Sequence, residues 1–185
     1  MFKTYEYNID LVSEPFANLK YRDRTVLILF RNSQAQFLFE KASNYYPKGI
    51  ARLLGGGVNP EETTIDAAIR EIKEETGMSI NPAELIELVQ VNVEGTYKFK
   101  THKTKIFVYF LKATQDAFKE GYDTKASDIV AYSEDEYTEQ VKRFLELKSE
   151  NLCNEQGNIF SWGDYGKVYG FVHQVALDEF LKRKI

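Results

Sequence analysis

The stretch from Gly56 to Met78, GGVNPEETTIDAAIREIKEETGM, constrains the fold and chemistry of this chain more than any other. It opens with glycines, which permit a tight turn and a close approach of the backbone to a ligand. Thr63 or Thr64 suits the N-cap of a helix, and Gly77 suits the position just after its end. The stretch therefore predicts a glycine turn followed by a helix.

Three glutamates crowd the end of this predicted helix. At about 100° per residue, Glu71, Glu74 and Glu75 fall on one face, beside a stripe of isoleucine and alanine. Like charges at i, i+4 repel each other, and the last turns of a helix favour cations. Arg70 and Lys73 relieve only part of this repulsion. A cluster that breaks two local rules is a candidate functional site, and a solvated charged face is the simpler alternative.

Carboxylates that converge from one helix face suit a hard cation with oxygen ligands, Mg²⁺ or Mn²⁺. The glycine turn could add a backbone carbonyl to such a site. Mg²⁺ that is held by a few carboxylates commonly binds and polarises phosphates. The residues alone therefore indicate phosphate chemistry at the end of the predicted helix.

The spacing within the whole stretch is specific. It consists of a glycine, five residues, a glutamate, seven residues, and then Arg-Glu-Ile, one residue, Glu-Glu, one residue and Gly. The fixed positions are Gly56, Glu62, Arg70, Glu71, Ile72, Glu74, Glu75 and Gly77, followed by Met78 where a branched aliphatic residue is usual. This pattern resembles the Nudix box of the Nudix hydrolases.

The resemblance implies a role for each position of the box. The implied metal ligands are the carboxylates of Glu71, Glu74 and Glu75 and the carbonyl of Gly55. Arg70 would orient the catalytic glutamates, Glu71 and Glu74, through an ion pair. The resemblance also implies structural roles for Gly56, Glu62 and Gly77.

The implied activity is metal-dependent hydrolysis of a phosphoanhydride bond. The substrate would be a nucleotide sugar, a dinucleoside polyphosphate or a nucleoside triphosphate. The water proton would pass to Glu71 or to an acid in the polar loop 116–128, where Glu120 is the first candidate and Asp123 the second. The alternative function is a non-catalytic Nudix-fold module that binds or senses a nucleotide. Such modules usually lose carboxylates of the box, and all of them are present here.

Three residues before the box are candidates for substrate binding. Tyr45 and Tyr46 lie on a predicted loop, where they could stack on a base, or one could pack while the other is exposed. Arg52 lies on a short predicted strand, where it could reach a ligand phosphate or form an ordinary ion pair.

The fold class follows from the irregular alternation of strand and helix patterns, which indicates an α+β fold with a mixed sheet between helices. The resemblance implies the Nudix α/β/α sandwich. We expect a single domain, 1–185, with an N-terminal segment at about 1–24 and a C-terminal helical extension at about 150–185.

Local patterns predict several individual elements. The run TVLILF, Thr25 to Phe30, predicts a buried strand because it is a continuous apolar run rich in residues that favour strands. Glu94-Gly95-Thr96 predicts a turn, and His102 falls on the connection between two further strands. Ser133 and Glu136 form a capping box that opens a helix. Asp164 is a candidate cap for the final helix.

Composition limits the classes of partner. The net charge of −4 argues against general binding to a nucleic-acid backbone, which requires a basic surface. Cys153 is the only cysteine, so no intrachain disulfide forms. The absence of an 18-residue apolar run predicts no membrane span, and we expect a cytoplasmic protein that acts on a small nucleotide. The sequence is compatible with a homodimer.

Overall fold

The structure is a computed structural model, and it describes residues 1–41, 49–112, 128–148, 151–153 and 159–185. Its strands are β1 (Lys3–Asp10), β2 (Arg24–Arg31), β3 (Phe37–Lys41), β4 (Ala51–Arg52), β5 (Leu85–Tyr97), β6 (Lys100–Lys112), β7 (Ile129–Tyr132), β8 (Asn151–Cys153) and β9 (Ile159–Ser161). Its helices are α1 (Ala17–Tyr21), α2 (Thr64–Thr76), α3 (Glu134–Leu145) and α4 (Trp162–Arg183), with a 3₁₀ turn at Pro82–Glu84.

Seven strands form one mixed sheet in the order β1-β5-β6-β2-β3-β4, with β7 pairing to β3 outside this path. The β1–β5 and β2–β6 pairs are parallel, and the β5–β6, β2–β3, β3–β4 and β3–β7 pairs are antiparallel. Strands β8 and β9 form a separate two-stranded sheet. The predicted mixed sheet is confirmed.

Two apolar layers lie on opposite faces of the sheet. On one face, Val26, Ile28 and Phe30 of β2 pack in a cluster with Ala68 and Ile72 of α2. On the other face, a larger cluster joins the alternate residues of the strands to α3 and α4. Strand β2 is therefore buried on both sides, which is why its sequence is continuously apolar. The layers form the predicted α/β/α sandwich.

The predicted turn at Glu94-Gly95-Thr96 is wrong. Strands β5 and β6 pair antiparallel from Leu85 opposite Leu111 to Tyr97 opposite Lys100, so their turn lies later, at residues 98 and 99. A Cβ atom at Gly95 would lie 2.6 Å from Cδ2 of Leu19 in α1. The glycine therefore makes room for a helix side chain in mid-strand and does not break the strand.

His102 lies within β6, opposite Gly95, and the predicted connection at this position is wrong for the same reason. The strand pairing continues through both positions, because the two strands form one long hairpin of 13 residues each. Ser133 and Glu136 form the predicted capping box at the start of α3.

The predicted cap of the final helix is also wrong. Ser161 is the N-cap of α4, and its side chain accepts a hydrogen bond from the amide of Asp164. The buried Asp164 carboxylate instead accepts hydrogen bonds from the amides of Val12 and Ser13, at 3.1 and 3.2 Å. A residue inside the last helix therefore holds the segment that follows β1.

His173 is fully buried in α4, and its ring lies within 6 Å of the rings of Phe39, Tyr137 and Phe144. Burial lowers the pKa of His173 to about 3, so its imidazole is neutral at physiological pH.

Within the described parts of the chain, no helix combines the length and apolar character that crossing a membrane requires.

Helices α3 and α4 approach closely at two glycines of α4. A Cβ atom at Gly166 would contact the carbonyl oxygen of Phe144 and would lie 2.9 Å from Cβ of Leu147. A Cβ atom at Gly170 would instead lie 2.8 Å from Cδ2 of Leu145, a side chain that is 49% exposed. Only the first contact involves backbone, which has little freedom to shift.

We predict that Gly166→Ala destabilises the protein more than Gly170→Ala. Alanine favours a helix by about 1 kcal/mol over glycine, but overpacking against backbone costs about 1–3 kcal/mol, and Leu145 can rotate towards solvent. Urea denaturation of both variants measures the two free energies of unfolding. Equal stability of the two variants would contradict the close backbone contact at Gly166.

Candidate active site

Helix α2 carries the glutamate cluster, and its ends agree with the prediction. Thr63 is the N-cap, and its side chain accepts a hydrogen bond from the amide of Asp66. Gly77 ends the helix in the left-handed conformation, with φ of 67°. The buried residues Ala67, Ala68 and Ile72 fix the helix against the sheet and so fix which face the glutamates occupy.

The glycine turn before α2 is fastened to the central strand β2. The amide of Val26 donates to the carbonyl of Gly56 at 2.9 Å, and the amide of Ile28 donates to that of Leu54 at 2.8 Å. Gly55 has φ of 135°, and a Cβ atom there would contact the carbonyl oxygen of Val26 and lie 2.9 Å from Cα of Leu27. Only glycine fits this position.

Gly56 lies directly against a glutamate of the box. A Cβ atom at Gly56 would contact the carboxylate of Glu71, at 2.6 Å from Cδ and 2.7 Å from Oε2. The missing side chain therefore lets the carboxylate pack against the turn. This contact joins the two halves of the stretch, the turn and the helix end, into one site.

Arg70 is the centre of the polar network at this site. Its Nε donates to Oε1 of Glu62 at 2.8 Å and its Nη2 donates to Oε2 at 2.9 Å, which is a two-point contact. Nη1 donates to Glu71 at 2.7 Å and to Glu74 at 3.0 Å, and Nη2 also reaches the carbonyl of Gly57 at 2.8 Å. All five N–H groups of the guanidinium are therefore used.

Glu62, which makes the two-point contact with Arg70, is held by the loop before α2. Oε2 of Glu62 also accepts a hydrogen bond from the amide of Asn59, and these contacts, led by Arg70, lower the pKa of Glu62. The side chain of Arg24 donates to the carbonyls of Asn59, Pro60 and Glu62. The loop is thus fixed by two arginines, one from α2 and one from β2.

Glu75 is the most enclosed carboxylate of the cluster, with 7% of its surface exposed. Oε2 of Glu75 accepts a hydrogen bond of 2.8 Å from the amide of Gly55. Burial raises the pKa of Glu75 to about 8, and the Glu40 carboxylate adds to this effect while Arg52 opposes it. Burial also raises the pKa of Glu71, against the attraction of Arg70.

Arg52 forms an ion pair across two strands. Its Nε and Nη2 both lie 2.6 Å from Oε2 of Glu40, which stands opposite Arg52 in the β3–β4 register. The ion pair that we considered as the alternative role of Arg52 is therefore present. The sequence around Glu40 carries no motif that marks it as part of the site, because its place near Arg52 and Glu75 depends on strand register.

Several predicted site residues cannot be placed against this geometry. Tyr45, Tyr46, Glu120 and Asp123 lie outside the residues that the structure describes. Their roles in base stacking and proton transfer stay predictions. The described site therefore consists of the glycine turn, the acidic face of α2, and the ends of β3 and β4.

The chemistry of the donor set fits a hard divalent cation. In the described part of the chain, no three acidic, histidine or cysteine side chains are already arranged to hold a metal ion. However, Glu71 and Glu74 each accept a hydrogen bond from Arg70 through one carboxylate oxygen, and Glu75 accepts one from the amide of Gly55 in the same way. The second oxygen of each carboxylate is then available to bind a cation. When all three glutamates are ionised, their total negative charge exceeds the single positive charge of Arg70, and a bound cation would offset that excess.

Solved structures of low sequence identity resemble this chain. A MutT/nudix family protein from Enterococcus faecalis is 22% identical with a TM-score of 0.45, and the match covers 64% of this chain and 46% of that chain. An Ap4A hydrolase from C. elegans in a binary complex is 18% identical with a TM-score of 0.49, covering 86% of this chain and 97% of that chain. At these values the neighbours support no statement about a substrate.

A MutT protein from Methanosarcina mazei is 20% identical with a TM-score of 0.45, covering 84% of this chain and 97% of that chain. A search of curated proteins returns no match. A family model described as "NUDIX domain" matches residues 21–152, which is more than half of the chain and includes the whole box. The chain belongs to the Nudix family.

Proposed function

We propose that this protein hydrolyses a phosphoanhydride bond in a nucleoside diphosphate linked to another group. The observation that carries the proposal is the cluster of Glu71, Glu74 and Glu75, held around Arg70 and against the glycine turn in a Nudix chain. The proposed substrates are nucleotide sugars, dinucleoside polyphosphates and nucleoside triphosphates. A cytoplasmic location and a homodimer stay predictions from the sequence.

The proposed cofactor is Mg²⁺ or Mn²⁺, held by Glu71, Glu74 and Glu75 with the carbonyl of Gly55. When bound, such an ion offsets phosphate charge and makes water more acidic. The residues of the chain supply the rest of the site. The amide of Gly55 fixes one oxygen of Glu75, and Arg70 fixes one oxygen of each of the other two glutamates.

The proposed acceptor of the water proton is a carboxylate. Glu71 suits this role because it is 12% exposed, lies against Gly56 and is oriented by Arg70. Burial favours the protonated form of Glu71, as its raised pKa indicates, so it binds a proton more readily than an exposed glutamate. Glu120 is the second candidate, as the sequence indicated.

We predict that Glu75→Gln lowers turnover by orders of magnitude but leaves the fold intact. The glutamine oxygen can still accept the hydrogen bond from Gly55, but an amide cannot ionise to bind a cation as a carboxylate does. The assay incubates the protein and Mg²⁺ or Mn²⁺ with nucleoside triphosphates, ADP-ribose, nucleotide sugars and dinucleoside polyphosphates, and chromatography resolves the products. We expect wild type to cleave one class, and Glu75→Gln to be slower by about 100-fold or more.

The matched control for this assay is Glu61→Gln, which makes the same change at an exposed position of the neighbouring loop. We expect it to cleave like wild type. Unchanged turnover in Glu75→Gln would contradict the assignment of the metal site. Saturable nucleotide binding by wild type without cleavage would instead favour a module that senses nucleotides.

We predict that Mg²⁺ raises the melting temperature of wild type and has a much smaller effect on Glu75→Gln. A ligand that binds only the folded state at 100 times its Kd stabilises by about 2.7 kcal/mol, which is about 5–10 °C for a chain of this size. Differential scanning calorimetry with and without Mg²⁺ measures this shift. Equal shifts in the two proteins would place the ion elsewhere.

We predict that Arg70→Lys lowers both kcat and stability. Lysine keeps the charge but has three donors on one atom, so it cannot replace the five hydrogen bonds that Arg70 makes from three nitrogen atoms. The free energy of unfolding should fall by about 1–3 kcal/mol. Arg143→Lys is the control, because its contact with the carbonyl of Gly49 is long, at 3.4 Å. Similar kcat values in the two variants would refute an orienting role for Arg70.

A further inference from the structure

Arg22 lies at the edge of the site, two residues before β2 and outside the box. A Cβ atom at Gly57 would lie 3.2 Å from its Nε and 3.3 Å from its Cδ and Cζ. The absence of a side chain at Gly57 therefore lets the Arg22 guanidinium lie over the glycine turn. The residue itself is exposed to solvent.

Three other arginines surround the turn, and each is engaged by the protein. Arg70 binds carboxylates and the carbonyl of Gly57, and Arg52 binds Glu40. Arg24 binds three carbonyls of the box loop, residues 59–62. Arg22 has no ion pair or side-chain hydrogen bond among the residues that the structure describes. Its donors are therefore available to a ligand.

The position of Arg22 relative to the glutamate cluster matters for an anionic substrate. Its positive charge attracts the Glu71 carboxylate, although burial outweighs this attraction in setting the pKa of Glu71. The box carboxylates repel a diphosphate, and a guanidinium beside them offsets part of that repulsion. Guanidinium groups also bind two phosphate oxygens at once, which a lysine ammonium does less well.

We propose that Arg22 is a phosphate-binding residue of this site, whose guanidinium donates hydrogen bonds over Gly57 to non-bridging oxygens of the substrate diphosphate. The inference rests on the proposed function, and it adds a substrate contact from outside the box. Arg22 makes this contact before and during the reaction, so it contributes to the binding of both substrate and transition state.

A purely structural role for Arg22, packing on Gly57, makes a different prediction. Loss of that packing would lower stability and leave nucleotide affinity unchanged. Loss of a phosphate contact would weaken nucleotide binding and leave stability unchanged, because Arg22 is exposed. Nucleotide affinity therefore separates the two roles.

The experiment compares Arg22→Ala and Arg22→Lys with Lys167→Ala, which removes the same charge from an exposed position on α4, on the other face of the sheet. Calorimetry measures the Kd of adenosine α,β-methylene diphosphate with Mg²⁺, and the cleavage assay gives KM and kcat. For Arg22→Ala we expect Kd and KM to rise about tenfold or more with little change in kcat. The Kd and KM of Arg22→Lys should lie between those of wild type and those of Arg22→Ala. The Kd and KM of Lys167→Ala should match those of wild type.

Equal affinities of Arg22→Ala and Lys167→Ala for the methylene analogue would overturn the proposal. A fall in kcat at constant KM would also overturn it, because that pattern belongs to a residue that acts in the transition state only. If wild type binds the analogue but cleaves no substrate, hydrolysis fails and the binding data still decide the role of Arg22. If wild type does not bind the analogue, both proposals fail.

Discussion

The candidate site depends on one side chain, the guanidinium of Arg70. Its five donors connect the box loop through Glu62, the glycine turn through Gly57, and the acidic face of α2 through Glu71 and Glu74. These groups come from three consecutive segments that have no other common partner among the described residues. A planar group with donors in fixed directions can hold all of them at once, which a lysine ammonium cannot do.

Glu75 shows the conflict between stability and function at this site. Its carboxylate is buried beside Glu40 and Glu71, and the amide of Gly55 gives it only partial compensation. Such an arrangement destabilises the ionised form, and a divalent cation would relieve it. The sandwich of helices around the sheet tolerates this cost because α2 is held by its apolar face, through residues such as Ile72.

The sequence predicted the parts of the site that local chemistry determines. Capping rules predict Gly77 as the C-cap of α2 and narrow the N-cap to Thr63 or Thr64, and the box spacing predicts which residues lie near Arg70. The predictions failed where contacts between residues far apart in the sequence determine the local structure. Gly95 has the local signature of a turn, but its real role is to make room for α1. Arg22 and Glu40 were missed because contacts between segments distant in the sequence place Arg22 against Gly57 and Glu40 opposite Arg52.

A crystal structure of the protein soaked with Mn²⁺ tests the central claim most directly, because anomalous scattering locates the ion without assumptions about its ligands. We expect a peak among the carboxylates of Glu71, Glu74 and Glu75 and the carbonyl of Gly55, at bond lengths of about 2.0–2.3 Å. A peak at another place on the surface, or none at saturating Mn²⁺, would contradict the proposal that this acidic helix face is a metal-dependent active site.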